Sequence, residues 1–333
     1  MDRFRAFRIH DGHGCAGIER LAIDLLSTGD TVIKVRYSSV NYKDALAASG
    51  KGKISRRFPI TGGIDLAGTI MESPSERFQP GDEVICTGCG LSESLDGGYS
   101  EICRLPSDIL VPLPAGLSLF DAMALGTAGF TVALALHRMT QNEQCPELGP
   151  IAVTGATGGV GSIAVNLLAG LGFEVVAITG KMEHAGWLRS LGASDVIDRK
   201  SLVLGDTPLE KARWGGAMDG MGGDMLSWLA RSTRPFGNVV SYGMAGGTEL
   251  SASVFPFILR GVSVLGVTSA NCPMPLRLKL WEKLADEWKP DKLDDIVRQT
   301  VALEDLPDVF SHMLAGQSLG RTVVDLSGQT GTK

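Results

Sequence analysis

The chain has 333 residues, 44% of them hydrophobic and 20% charged, with a formal net charge of −6. That length accommodates two domains, each with a sizeable core. The acidic balance excludes general binding to nucleic acid or to an anionic membrane surface, so an anionic ligand would have to be met by a local group of cations.

The amino-terminal run Met1-Asp-Arg-Phe-Arg-Ala-Phe-Arg8 lacks the apolar centre of a secretory signal. Up to about residue 115 the pattern is β-rich. Strands are predicted over Phe4–Ile9, Thr31–Tyr37, Gly63–Ile70, Glu83–Cys86, Tyr99–Leu105 and Ile109–Leu113, punctuated by turn chemistry such as Gln79-Pro-Gly-Asp82, and the series suggests a small barrel. Between them lie Ser38-Ser-Val-Asn-Tyr-Lys-Asp44 and a basic stretch, Lys51, Lys53, Arg56 and Arg57, four cations in seven residues. Ser118 to His137 is predicted to be helical and contains Gly126-Thr-Ala-Gly-Phe-Thr131. After the polar loop Thr140–Gly149, strands and helices alternate. Pro150–Thr154 is a strand, Val160–Leu171 a helix, Glu174–Ile178 a strand, Met182–Leu191 a helix, and Asp195–Asp198 a strand ending at Arg199. Strand Gly216–Gly220, helix Asp224–Arg231 and strands Asn238–Gly243 and Gly261–Val267 follow. Such alternation implies a mostly parallel, doubly wound sheet. Helices over Leu276–Trp288 and Leu306–Ala315, a strand over Arg321–Asp325 and a frayed tail from Ser327 complete the reading. The most apolar long run, 160–179, is broken by Asn166 and Glu174, and no membrane span is expected.

Six scattered cysteines in a chain of this size point away from a disulfide framework and toward a reducing, cytoplasmic setting. Cys86 and Cys89 have the spacing of a metal or redox pair, with Cys103 a single further candidate. Structural zinc wants four ligands and no second pair lies nearby, so the pair is read as neither a metal nor a redox centre.

The most informative stretch is Pro150–Lys181. A buried strand, the turn Gly155-Ala-Thr-Gly158-Gly-Val-Gly161, an amphipathic helix and a second strand make one βαβ unit of about 30 residues. Glycines let the backbone approach a pyrophosphate, and the free N–H groups and dipole of the helix N-terminus favour the anion. The second strand ends Ile178-Thr-Gly-Lys181. An NAD site usually carries a carboxylate there for the ribose 2′-hydroxyl. A hydroxyl, a small residue and a cation suit the 2′-phosphate of NADP instead.

Taken together, these segments resemble the medium-chain dehydrogenase/reductase superfamily, and within it the zinc-independent quinone-oxidoreductase-like group and its acrylyl-CoA reductase subfamily. The resemblance is carried by Ser38–Leu46, Gly50-Lys-Gly-Lys53, Gly63-Ile-Asp-Leu-Ala-Gly68, Gly126–Thr131, Val153–Gly161, Pro256-Phe-Ile-Leu-Arg260 and Gly320-Arg-Thr322. It implies an α/β protein: a GroES-like catalytic domain built from residues 1–124 and 270–333, with a Rossmann NADP-binding domain at 125–269 inserted and the active site in the cleft. It also implies a homodimer joined at the Rossmann sheet edges. Family NADPH contacts fall on Tyr42, Thr157, Gly158, Gly159, Val160, Thr179, Gly180, Lys181, Arg199, Met244, Ile258 and Ser269. Thr179-Gly-Lys181 stands where the family usually has Ser-Gly-Arg, and Gly62 where it has Pro. Asn41–Asp44 and Gly63-Ile64-Asp65 occupy the places of the catalytic cysteine and the Gly-His-Glu ligand segment of zinc-dependent relatives, so no metal is expected.

The reaction the resemblance implies is NADPH-dependent hydride transfer to the β-carbon of a short α,β-unsaturated acyl-CoA, acryloyl-CoA to propanoyl-CoA. Tyr42 is the candidate donor to the enolate oxygen, with Asn41 orienting cofactor or substrate. Tyr42 packing on the cofactor without chemistry is the competing role. Lys51, Lys53, Arg56 and Arg57 are either a clamp for coenzyme A phosphates or a solvated face. Two other functions share the cofactor features: an NADPH:quinone or enone oxidoreductase, and a non-catalytic NADPH-binding sensor.

Overall fold

A computed structural model of the chain describes residues 3–327, so all of the expected tail but Ser327 lies outside the described residues. The chain divides into two compact units. Unit 1 comprises Met1–Thr127, Ala270–Ala285 and Leu293–Lys333, and unit 2 comprises Ala128–Ser269 and Asp286–Lys292.

Chain order runs β1 (Phe4–Ile9), β2 (Ala16–Leu21), β3 (Thr31–Ser39), α1 (Tyr42–Ser49), β4 (Ile60–Thr61), β5 (Asp65–Glu72), β6 (Glu83–Thr87), β7 (Ile102–Leu105) and β8 (Val111–Pro112). Helix α2 (Leu119–Gln141) follows, then β9 (Ile151–Thr154), α3 (Gly159–Gly170), β10 (Val175–Thr179), α4 (Ala185–Ser190) and β11 (Asp195–Asp198). Next come β12 (Trp214–Asp219), α5 (Gly223–Ser232), β13 (Thr233–Ser241), α6 (Phe255–Arg260) and β14 (Ser263–Gly266). The chain closes with α7 (Met274–Ala285), α8 (Leu293–Ile296), β15 (Val297–Val301), α9 (Leu306–Leu314) and β16 (Arg321–Asp325).

Unit 1 holds two sheets where the pattern suggested one small barrel: a seven-stranded sheet in order β15-β16-β3-β5-β6-β8 with β7 on β3, and a three-stranded sheet β2-β1-β4. The returning strand β16 pairs antiparallel with β3 at Val323↔Ser39 and Val324↔Ser38, which ties the two chain ends into one sheet. The core beneath includes Ile33, Val35, Leu66, Ile70, Leu105 and Phe310. Helix α1 escaped the pattern reading because its apolar residues are mostly alanines; it starts with the Asp44 carboxylate accepting from Asn41 N at 2.9 Å and stops at Gly50, φ 69°. Strands β2 and β15 were also missed: both alternate weakly and stay half exposed.

Unit 2 is a six-stranded parallel sheet in order β11-β10-β9-β12-β13-β14. This is the doubly wound order whose topological switch point lies between β9 and β12, at the carboxyl ends of those strands. All four residues of β9 and all six of β12 are buried, so their sequences are continuous apolar or small runs without alternation. Helix α2 is long and apolar enough to cross a membrane, yet 78% of its most apolar window is buried inside the protein and Gly126 breaks its regular geometry; it is a core helix.

Candidate functional site

In unit 2, Gly155 follows β9 with φ 59°, a backbone state in which L side chains are strained. Gly161 is demanded by space: a Cβ there would lie 2.4 Å from Gly155 O and 2.7 Å from Ala156 Cα. Helix α3 therefore seats directly against the turn, and its N-cap, Gly158, brings no side chain to cap it. The amides of Gly159, Val160 and Gly161 are left for an external acceptor, as a pyrophosphate site requires.

Thr157 and Thr179 are buried and face each other, Oγ1 to Oγ1, at 3.3 Å, and Thr179 Oγ1 accepts from Lys181 N at 3.1 Å. Thr179 thus shapes the turn after β10. Parallel pairing sets Thr179 beside Asp198. The Arg199 guanidinium that follows reaches over Gly180, with Nη2 3.4 Å from where a Cβ would sit, and Nη1 3.6 Å from Met221 Sδ. The Asp198 carboxylate faces Lys200 N at 2.9 Å. Burial pulls the Lys181 ammonium below its ordinary value. Thr157, Thr179, Gly180, Lys181 and Arg199 therefore come together at the carboxyl ends of β10 and β11.

At the switch point, Asp219 is buried at the end of β12 and accepts from Thr154 Oγ1 at 2.6 Å and Gly222 N at 2.7 Å. Met244 is 69% exposed in the loop after β13, beside Gly222. Ile258 lies on α6 and is 73% exposed, and Arg260 of the same helix reaches back to Arg231 O and Thr233 O. Ser269 is the last residue of this unit before the chain returns to unit 1.

Unit 1 contains a polar hub that sequence reasoning did not assign. Asp65, fully buried in β5, accepts through Oδ2 from Ser39 Oγ (2.6 Å), Asn41 Nδ2 (2.9 Å) and Thr127 N (2.9 Å), and through Oδ1 from Thr127 Oγ1 (2.5 Å). Thr127 N can point there because Gly126 takes φ 51°, ψ −153° inside α2, freeing the next amide from the helical ladder. A side chain at Gly126 would strike the Asp65 carboxylate at 2.6 Å. Arg321, also buried, donates to Ala124 O, Val40 O and Asn41 Oδ1, and its Nη2 has no partner among the described residues. The signal for this hub was present: a carboxylate and a guanidinium each inside an apolar strand pattern need partners.

Both ends of the Asn41 amide are thereby engaged, leaving one Nδ2 hydrogen for a ligand. Tyr42, the first residue of α1, is 53% exposed. The basic stretch is not uniform. Arg57 is committed to Asp96 Oδ2 (2.9 Å) and Ser94 O (2.8 Å), whereas Lys51, Lys53 and Arg56 stay exposed, Arg56 meeting only Glu93 at 3.8 Å. A separate cavity of about 1040 Å³, lined among others by Lys34, Arg36, Tyr37 and Phe120, includes none of the expected site residues. Among the described residues, no three His, Cys, Asp or Glu side chains gather as a metal site.

A doubly wound sheet with an uncapped glycine turn, in a chain that also carries a unit of largely antiparallel sheets, points to a nicotinamide-dependent type of oxidoreductase. The family models agree: "Alcohol dehydrogenase GroES-like domain" matches residues 27–115 and "Zinc-binding dehydrogenase" matches 159–286. The chain is 47% identical over 310 residues to YhfP of Bacillus subtilis, whose name places it provisionally among quinone oxidoreductases, with 93% of this chain and 94% of that one covered. It is 43% identical to the acrylyl-CoA reductase AcuI of Ruegeria pomeroyi, covering 94% of each. Among solved structures it is similar to the yhdH oxidoreductase of Salmonella enterica in complex with NADP, with TM-score 0.93, 40% identity and 97% and 99% coverage. The chain belongs to the medium-chain dehydrogenase/reductase superfamily, in the zinc-independent quinone-oxidoreductase-like group that includes the acrylyl-CoA reductases.

Proposed function

We propose that this protein is an NADPH-dependent, metal-independent reductase of the C=C bond of a short α,β-unsaturated acyl-CoA, with acryloyl-CoA to propanoyl-CoA as the simplest case. The observation that carries the cofactor half is Arg199 lying over Gly180 beside Lys181, with no carboxylate among Thr179, Gly180 and Lys181 where β10 ends. Two cations suit a 2′-phosphate. An acrylyl-CoA reductase at 43% identity supports the substrate half, and an NADP-bound oxidoreductase at 40% adds to the cofactor half.

Bound NADPH would supply the hydride. In this reading unit 2 holds the dinucleotide: the first amides of α3 take the pyrophosphate, and Lys181 and Arg199 the 2′-phosphate. Met244, Ile258 and Ser269 remain proposed contacts. Unit 1 supplies the groups for substrate. The Tyr42 hydroxyl donates to the thioester oxygen as it gains charge, a contact worth about 3 kcal/mol where a donor is well placed. Asn41, fixed between Asp65 and Arg321, orients cofactor or substrate with its remaining amide hydrogen. Lys51, Lys53 and Arg56 meet the phosphates of coenzyme A. A homodimer is part of the same proposal, supported by the edge strand β14 and by exposed Phe236, Ile258 and Leu259 in unit 2.

Initial rates with NADPH against acryloyl-CoA, crotonyl-CoA and a simple quinone test the reading. Turnover of the acyl-CoAs with Tyr42→Phe lowered about a hundredfold in kcat is expected. Turnover of the quinone alone would transfer the protein to the second reading, which the similarity to YhfP favours.

A further inference from the structure

The segment Cys86-Thr-Gly-Cys89 lies outside the machinery assigned above. Cys86 is buried near the end of β6. Gly88 (φ 70°), Cys89 (φ 50°) and Gly90 (φ 87°) then take three left-handed conformations in succession, which turn the chain back on itself. This brings the half-exposed Cys89 thiol into hydrogen-bonding reach of Cys86. The turn packs on Ala270: Cys89 N donates to Ala270 O at 3.3 Å, and a Cβ on Gly88 would lie 2.7 Å from Ala270 Cα. The buried Arg277 guanidinium clamps the same place, donating to Thr87 O (2.8 Å), Thr87 Oγ1 (3.1 Å) and Ala270 O (3.2 Å).

We propose that Cys86 and Cys89 form a redox-active dithiol, with Cys89 the attacking thiol and Cys86 the resolving one, that closes to a disulfide on contact with a peroxide or a small-molecule disulfide. The hydrogen bond from Cys86 and then the positive charge of Arg277 bring the Cys89 thiol down to about 7, against burial and the charges of Asp108 and Asp65. The bond to Cys89 and burial push Cys86 up, so it keeps its proton and donates it. With a peroxide, the Cys89 thiolate attacks one oxygen, the O–O bond breaks, and a sulfenic acid forms as hydroxide leaves and takes up a proton. Cys86 sulfur then attacks the Cys89 sulfur, the S–O bond breaks, and a second water leaves with the Cys86 proton. Two electrons pass from the dithiol to the peroxide. Because Cys89 and Arg277 both hold Ala270, the residue after Ser269, closure also strains the point where the chain re-enters unit 1. On the NADPH reading above, this weakens cofactor binding.

The test uses the full chain treated with one equivalent of hydrogen peroxide or excess glutathione disulfide, followed by differential alkylation and peptide mapping. The expected result is loss of two hydrogens in mass, with Cys86 and Cys89 joined within one peptide, and Cys89 alkylation half-maximal about 1.5 pH units below an ordinary cysteine near 8.5. Cys86→Ser should stop at a sulfenic acid or mixed disulfide on Cys89, and Cys89→Ser should leave Cys86 unreacted. A Cys89–Cys272 linkage, oxidation of the exposed Cys15 alone, or an ordinary alkylation profile at Cys89 would overturn the proposal. NADPH affinity is measured separately on reduced and oxidised protein. A severalfold loss on oxidation, absent in Cys89→Ser, supports the coupling to Ala270, and equal affinities overturn that coupling. No binding to the reduced protein sinks the cofactor reading while the thiol result stands on its own.

Discussion

The Arg199 guanidinium rests over Gly180, one residue from Lys181, so β11 contributes a second cation to the turn that ends β10. The sequence places a Lys where the family usually has Arg and so loses a bidentate fork at that position. Arg199 restores a fork from the neighbouring strand, and Gly180 leaves it room. NADPH should therefore bind at least tenfold more tightly than NADH, a difference of roughly 1.4 kcal/mol. Lys181→Ala and Arg199→Ala should each weaken NADPH selectively, because NADH has no 2′-phosphate to lose. Titration of both cofactors into each variant checks this, and equal losses for the two would dismiss the assignment.

Asp44 makes a pH-dependent contribution to stability. Its carboxyl is pushed up to about 7, first by burial and then by the charge of Asp65, despite hydrogen bonds donated by the backbone amides of Asn41 and Ile64. An unfolded Asp titrates near 3.9, so between about 4 and 7 the native state holds more protons than the unfolded one. The contribution is complete below about pH 4 and is lost as pH rises through 7, on the order of a few kcal/mol. Asp44→Asn removes the titrating group and should flatten the fall in melting temperature between pH 5 and 8 relative to wild type. Parallel slopes for the two proteins would assign the dependence elsewhere.

The doubly wound unit and its glycine turn were legible in the sequence because their physics is local. Strand, glycine turn and helix are consecutive, and Thr179, Gly180 and Lys181 adjoin one another. The unit 1 hub was legible only as a need: Asp65 and Arg321 called for partners, but Ser39 and Asn41, Asp65, Thr127 and Arg321 lie in separate segments that meet only when β16 pairs with β3 and Gly126 breaks α2. Helix α1 failed for another reason: alanine-rich faces give little periodic signal, and its start is fixed by Asp44, a carboxylate whose role appears only in three dimensions. The basic stretch read as one patch, yet burial of Asp96 recruits Arg57 out of it.

The use of Asp65 supports the metal-independent part of the proposal. Its two oxygens already accept four hydrogen bonds, and the neighbouring positions offer Ile64 and Asn41 where zinc-dependent relatives place ligands. Activity should survive chelation, and metal analysis of the purified protein should find well under one equivalent. One zinc per chain, lost together with activity, would contradict it. Asp65→Asn should also cost activity without changing metal content, since an amide cannot accept from all four donors.

The final prediction separates the four cations of the basic stretch into two roles. Arg57 bonds a carboxylate that is fully buried and also receives Arg8 at 2.8 Å, Thr61 N at 2.6 Å and Ser27 N at 2.6 Å. Removing Arg57 withdraws one partner from buried Asp96, so Arg57→Ala should lower stability by about 1–3 kcal/mol, read from denaturant unfolding. Lys51, Lys53 and Arg56 have no such duty. Contacts from them to coenzyme A phosphates would persist equally in ground and transition states, and such uniform binding appears in KM rather than kcat. The triple alanine variant should raise KM for acryloyl-CoA about tenfold, with kcat and the KM for NADPH nearly unchanged. Salt should reproduce the trend in the wild type, since exposed charges are screened over about 8–10 Å. A truncated thioester lacking the nucleotide gives the control: its KM should ignore both the substitutions and the salt. If the triple variant handles acryloyl-CoA like the wild type, the three side chains only face solvent, and the nucleotide end of the substrate is held elsewhere.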